Sequence, residues 1–395
     1  MKIIAFVGET YEEFEGYYYA KPTSAVFIQD AIGCENVYVA SSAIPSSGNK
    51  PTGTSTTVVA DHFYPFPRYQ STKDFVVKSL FKRGFYRGYV QRSEHIINQH
   101  SGDFFWIRTP SIGSIIFGLT ALRLNQKVLH HMCADASNTW KDKKYSGFNK
   151  VMAFCFSKLI RFKLKNICSH KNSINLCTGD VLENFSKKYS KNTYQFVDLM
   201  IKPSCVISEQ VNIKHLNGNT INILFVGRIV ADKGVFDLIE AISRQNKRVM
   251  AIFVGDGPDL VDAKKVVNDK QLHELISFTG QLPHSELNQL YAGADIVVVP
   301  SNNNYEGFPR VIMEAWSHHK PVIVSDVGGI NAFVRHGENG FIFPPGDVNA
   351  LSRQLASFVS SPSLLSNVHI NVQNMANISN QDYWIKLLLN IVKSN

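Results

Sequence analysis

Short apolar runs alternate along the chain with stretches whose apolar positions recur every three or four residues, most regularly in the second half. Runs at 222–226, 248–254, 275–278, 295–299, 321–325 and 340–343 have the length and β-branched content of buried strands. Helical periodicity fills the intervals at 235–244, 259–270, 284–291, 310–317 and 348–360. Such alternation predicts a parallel, doubly wound sheet, whose ligands bind beyond the carboxyl ends of the strands. The first half repeats the pattern less cleanly, with strands expected at 2–7, 36–40, 103–107, 127–131 and 173–177. Between the halves, the polar stretch 202–219 contains Pro203 and Gly218 and precedes a fresh apolar run, as a domain boundary would. The expected α/β organisation is a first Rossmann-like domain over 1–203, a second over 204–380, and a closing helix over 381–395. That helix carries Trp384 and Leu387 to Leu389 on one pattern and is expected to dock across the pair.

A chain of 395 residues with 44% hydrophobic and 18% charged residues suits two folded cores and excludes a fibrous or disordered protein. The opening run, 1–8, is too short for a secretory signal and leads into an acidic stretch. The longest later run, 112–122, is broken by Gly and Ser and falls short of the ~20 residues that span a bilayer. A cytoplasmic location is expected. Cys34, Cys133, Cys155, Cys168, Cys177 and Cys205 are scattered without zinc-ligand spacing, so they are expected to be reduced and mostly buried.

Charge separates the halves. Residues 1–200 hold 25 Lys/Arg against 15 Asp/Glu, whereas residues 201–395 hold 16 against 17. The excess concentrates in 73–92, where Lys73, Lys78, Lys82, Arg83, Arg87 and Arg92 interleave with aromatic and aliphatic residues, and in 158–165. Basic amphipathic helices of this kind suit an anionic membrane surface, although a solvated helix face has the same pattern. No nucleic-acid-binding motif accompanies the charge.

The candidate chemistry sits at predicted strand ends of the second half. Glu306 and Glu314 flank Gly307-Phe308-Pro309, so Pro309 opens a helix with Glu306 in the entering loop and Glu314 a turn and a half inside. Carboxylates at two depths suit a ligand with several hydroxyl donors. Gly227-Arg228 and Lys233, following the run at 222–226, deliver two cations to the same edge, where they can share a diphosphate. The chain contains no Asp-x-Asp metal anchor, so neutralisation by these cations and by helix N-termini is expected, without a metal ion. Gly328-Gly329 offers bare backbone amides at the next strand end. In the first half, His130, His131 and Asp135 close the strand at 127–131 and are expected to face the same edge.

Gly227-Arg228 with Lys233, Glu306 to Glu314 as Glu-x7-Glu, Val327-Gly328-Gly329, and Gly337-Glu338-Asn339-Gly340-Phe341 with Pro345-Gly346-Asp347 together resemble the donor-binding half of family 4 glycosyltransferases, over roughly 220–360. The resemblance implies the GT-B architecture of two Rossmann-like domains facing a central cleft, with the last helix crossing back to the first domain. It also implies metal-independent transfer of a hexosyl unit, with retained anomeric configuration, from a UDP- or GDP-sugar to a glycan or lipid-linked acceptor of surface polysaccharide. By the same resemblance, Arg228 and Lys233 hold the diphosphate, Glu306 contacts the sugar, and Glu314 binds the ribose. Gly227, Gly307, Phe308, Gly328 and Gly329 line the donor, as does Gly8 at the head of the first domain. His131 or His130, with Asp135, approaches the donor sugar. After Gly8 the family's paired glycines give way to Glu9-Thr10-Tyr11, which leaves the acceptor open. A nucleotide-sugar epimerase on the same plan and a non-catalytic nucleotide-sugar-binding protein are the competing readings.

Overall fold

The computed structural model describes all residues except 22–23, 47, 52–53, 55, 142–144, 203–219, 246–247, 304 and 362. The expected boundary segment at 202–219 therefore lies almost wholly outside the described residues. The chain divides into two compact units, one of Met1–Met200 with Ile385–Asn395 and one of Ile201–Trp384.

The first unit opens with β1 (Ile3–Phe14), β2 (Tyr17–Ala20), α1 (Ser24–Ile32), β3 (Val37–Pro45), β4 (Thr56–Val59) and β5 (Phe63–Phe66). It continues through α2 (Thr72–Phe81), α3 (Phe85–Gln99), β6 (Phe104–Thr109), α4 (Ile112–Arg123) and β7 (Lys127–Met132). Then come α5 (Gly147–Cys168), β8 (Ser173–Cys177), α6 (Asp180–Lys187) and β9 (Thr193–Gln195). Parallel pairing joins β5, β3, β1, β6, β7, β8 and β9, and antiparallel β2 and β4 extend the sheet from the far end of β1. The run at 112–122 becomes α4, buried along nearly its whole length, which explains its hydropathy without a membrane. Among the described residues no helix is long and apolar enough to cross a bilayer.

The first strand departs from expectation. It runs on through a register shift between Phe6 and Thr10, with Tyr11 buried and residues 10–13 paired to β3. Glu15 and Gly16, at φ 48° and 77°, then form the two-residue turn that suits the twist of a hairpin. Gly8, at φ 84°, lies inside this strand and packs against Ser111 ahead of α4. The expected cysteine burial also needs correction: Cys168 and Cys177 are buried, Cys133 is half-buried, and Cys34 and Cys155 are exposed. Those five are free thiols, and Cys205 lies outside the described residues.

The second unit follows the sequence closely. Its elements are β10 (Ile221–Val226), α7 (Val235–Ser243), β11 (Val249–Val254), α8 (Leu260–Asp269), β12 (Ile276–Gly280) and α9 (His284–Gly293). After these come β13 (Ile296–Val299), α10 (Arg310–Ser317), β14 (Val322–Ser325), β15 (Phe341–Phe343), α11 (Val348–Ser360) and α12 (Ser363–Ala376). Helix α13 (Gln381–Ser394) ends the chain, with Ile385 onward counted in the first unit. All six strands are parallel in the order β12-β11-β10-β13-β14-β15. The order reverses between β10 and β13. Connections there leave toward opposite faces and open a crevice at the carboxyl edge.

Candidate functional site

The loops that leave β10 and β13 flank this reversal, and they carry the two charged motifs. Gly227-Arg228 follows β10, with the Gly227 amide donating to Val254 O at 2.9 Å and Arg228 exposed. A short helical turn at Ala231–Lys233 then presents Lys233, whose Nζ donates to Glu306 Oε1. Both groups are largely shielded, so their attraction is screened less than that of a surface pair.

Glu306 is held from two further directions. Asn303 Nδ2 donates to Glu306 Oε2 at 3.1 Å, and the Glu306 amide donates to Asn303 Oδ1 at 2.9 Å. The loop itself is pinned by the Asn302 amide on Asp232 O at 2.8 Å and by the Tyr305 hydroxyl on Asp232 Oδ2. Asp232 Oδ1, Ser301 Oγ and Asn302 Oδ1 are buried there and have no hydrogen-bond partner among the described residues.

The Gly328-Gly329 turn after β14 backs directly onto this loop. The Gly329 amide donates to Gly307 O at 2.7 Å. At Gly328, with φ 58°, an added Cβ would stand 2.0 Å from Glu306 O, so only glycine permits the approach. Phe308 is buried and packs edge-on against Phe333, 4.9 Å between ring centroids, fixing the exit into α10. Within α10, Glu314 Oε2 accepts from the Tyr291 hydroxyl at 2.9 Å. Burial, and then the Glu314 charge, push the Tyr291 phenol well above its usual pKa, so it remains a donor that fixes the carboxylate. The structure thus brings Lys233, Glu306, Gly307, Gly328 and Gly329 into one cluster, with Gly227 and Arg228 on the loop after β10 and Glu314 anchored on the helix that follows.

Two other motifs hold turns. Asn339 Oδ1 accepts from the Arg335 amide at 2.7 Å, and its Nδ2 donates to Phe333 O at 2.9 Å. Asp347 caps α11 by accepting from the Ala350 amide at 2.8 Å.

Sequence reasoning missed two contributors. Asn303 lies in the polar run 301–304 between a strand and Glu306, a signal that was visible but without a fixed chemical meaning. Gly255-Asp256-Gly257, after β11, packs on the loop after β10: a Cβ on Gly255 would stand 1.9 Å from Gly227 O. Two glycines directly after a predicted strand were the available sign.

The first-unit candidates lie in their own surroundings. His130 and His131 are both fully buried within β7, where they project into packed side chains. His130 Nδ1 lies 3.0 Å from Asn175 Oδ1 and its Nε2 3.0 Å from Thr109 Oγ1. His131 Nε2 lies 3.0 Å from Thr178 Oγ1, with the ring edge-on to Trp106 and Phe196. The strand continues to Met132, and packed side chains cover both rings. Asp135 accepts from the Ser137 amide and hydroxyl, each at 2.8 Å, and from Asn138 Nδ2 at 3.3 Å, and so closes a local turn.

Residues 206–375 match the family model described as "Glycosyl transferases group 1". The chain is similar to alpha-D-kanosaminyltransferase of Streptomyces kanamyceticus, with 30% identity over 145 residues, which cover 36% of this chain and 37% of the relative. It is also similar to sulfoquinovosyl transferase SQD2 of Arabidopsis thaliana, 33% identical over 146 residues, covering 36% of this chain and 27% of the relative. The matched part thus spans little more than a third of these relatives' own length, or less. Over its whole length, and over the whole of that chain, the structure resembles Anabaena Alr3699/HepE solved in complex with UDP, with a TM-score of 0.67 and 16% identity. Residues 206–375, within the second unit and the stretch before it, are thus similar to group 1 glycosyltransferases, in a chain that has the GT-B fold of two Rossmann-like units.

Proposed function

We propose that the chain is a retaining, metal-independent family 4 hexosyltransferase that moves a sugar from a nucleoside-diphosphate donor to a glycan or lipid-linked acceptor in surface polysaccharide assembly. The observation that carries this reading is the Lys233–Glu306 pair, held at the reversal between β10 and β13 and backed by the Gly328-Gly329 turn. A diphosphate entering that crevice meets the Lys233 ammonium and, at its mouth, the exposed Arg228 guanidinium. Both cations oppose the charge that accumulates on the departing phosphate as the glycosidic bond breaks.

Glu306 is steadied by Asn303 and placed to interact with the hexose as positive charge develops on it. Glu314, fixed by Tyr291, accepts hydrogen bonds from ribose hydroxyls. The acceptor oxygen attacks C1 from the face the diphosphate leaves, and its proton passes to the departing phosphate oxygen. The lack of an Asp-x-Asp sequence supports charge neutralisation by side chains and amides in place of a metal ion. HepE solved with UDP and with UDP-glucose supports a uridine-linked hexose as the first donor to try. Exposed Leu80, Phe81, Phe148 and Phe162 among the basic residues of α2 and α5 support peripheral binding at an anionic membrane face.

A screen of UDP- and GDP-hexoses for release of free nucleoside diphosphate, with and without EDTA, tests the reading. At least one donor should be turned over, equally in EDTA. Conversion of a donor to its epimer without release would favour the epimerase reading, and inertness toward every donor would leave only a binding role.

A further inference from the structure

The first unit contains an apolar groove of about 340 Å³ between α2, α3, α4 and α5 that the donor chemistry does not use. Ile112, Ile116 and Leu119 of α4 form part of its lining, as do Leu80, Tyr86 and Leu159. Leu80 is 73% exposed and the adjacent Phe81 84% exposed, in a molecule whose other long aliphatic residues are mostly covered. Apolar surface left in water at this level is a cost that an apolar ligand would remove. Lys163 and Arg123 also line the groove, and Lys82 and Arg83 follow α2 directly.

A second, more polar compartment of about 560 Å³ adjoins it, lined by Ser71, Lys73, Thr139, Tyr145 and Asn149. Ile160 lines both compartments. A larger chamber of mixed polar and apolar lining and an apolar trough share one side chain, with a lysine in each, and together match an anionic amphiphile. Neither a flat membrane surface nor a water-soluble glycan would use both compartments.

We propose that this double compartment binds a phosphate-bearing, lipid-linked acceptor, with its hydrocarbon chain in the groove and its anionic head beside Lys73. The proposal rests on the transferase reading for the word acceptor, but the chain-binding groove can be judged without it.

The test titrates the full chain with octyl, decyl and dodecyl phosphate below their micellar concentrations. Kd should tighten about fourfold per added CH2, or roughly 15-fold per two carbons, until the groove is full. The trend should flatten in Leu80→Glu and Leu159→Glu, two positions exposed enough for the fold to survive. It should persist in Ile370→Glu, an exposed control in the second unit. Alkyl maltosides of the same lengths, which lack the phosphate, should bind more weakly. Affinity independent of chain length, or a trend unchanged in both groove variants, would overturn the groove. Equal affinity for the maltosides would overturn the anionic head. Leu80→Glu should also lose transfer to a lipid-anchored acceptor while still releasing nucleoside diphosphate into water. Retained transfer would overturn the acceptor assignment. Absence of release in the unmodified protein would instead count against the transferase reading and leave the chain-length result standing.

Discussion

At the scale of single residues, burial separates the titratable groups proposed to serve chemistry from those that serve the fold. Lys233 and Glu306 are shielded yet remain at the edge of the crevice, whereas His130 is enclosed and its pKa is pushed down by burial to about 4. A histidine whose folded pKa lies below its unfolded value stabilises the protein above the unfolded pKa and loses that contribution as pH falls. Between about pH 6.5 and 4 the unfolded chain takes up a proton that the folded chain refuses. This weakens the first unit by about 3 kcal/mol at the lower end. Urea unfolding at pH 7.5 and pH 4.5 should show the loss, and His130→Gln should show less of it; an equal loss in the variant would mean that other groups set the acid limb. His318, also lowered chiefly by burial, acts in the same direction in the second unit. Lys78 shows the opposite lesson. The sequence presents it as part of a basic surface, but its ammonium is engaged by Asp74 Oδ2 at 2.8 Å and Arg68 O at 3.0 Å.

At the scale of elements, the site is made by loops that interlock more tightly than their sequences suggest. The Gly328 approach to Glu306 O leaves no room for a methyl group, and its φ of 58° is costly for alanine. Gly328→Ala should therefore displace the Glu306 loop, destabilise the second unit by about 1–3 kcal/mol and lower donor turnover more than Gly337→Ala. Gly337 also has a positive φ but open space around it, so it controls for backbone strain alone. Equal effects of the two substitutions would mean that the contact with Glu306 is unimportant. Much of this element structure was legible in the chain. The six strands of the second unit and the five helices α7 to α11 lie within about two residues of the runs that predict them, because parallel strands buried on both faces read as continuous apolar segments; α12 was not expected. The first unit was harder. Strand β1 continues into the acidic residues Glu12 and Glu13, which carry no strand period, and β5 and β9, four and three residues long, are too short to show one.

At the scale of the whole molecule, the chemistry and the excess charge fall in different units. The second unit carries the edge proposed to bind the diphosphate and the paired carboxylates, and their positions were readable because strand ends fix where Arg228, Lys233, Glu306 and Gly328 must lie. The first unit supplies the positive excess and the apolar groove, whose lining comes from four helices separated in sequence and shows as a site only after folding. His131 lies on the strand its sequence predicts, but its depth depends on Trp106 and Phe196, which the local sequence does not bring near. The central claim is that Lys233 binds the diphosphate of a nucleotide sugar. Calorimetric titration of UDP and GDP into the unmodified protein and into Lys233→Ala tests it most directly. At least one nucleotide should bind the unmodified protein, and the substitution should weaken that binding by about 1.5–3 kcal/mol, or roughly 10- to 150-fold. Equal affinity in the two proteins would contradict the account.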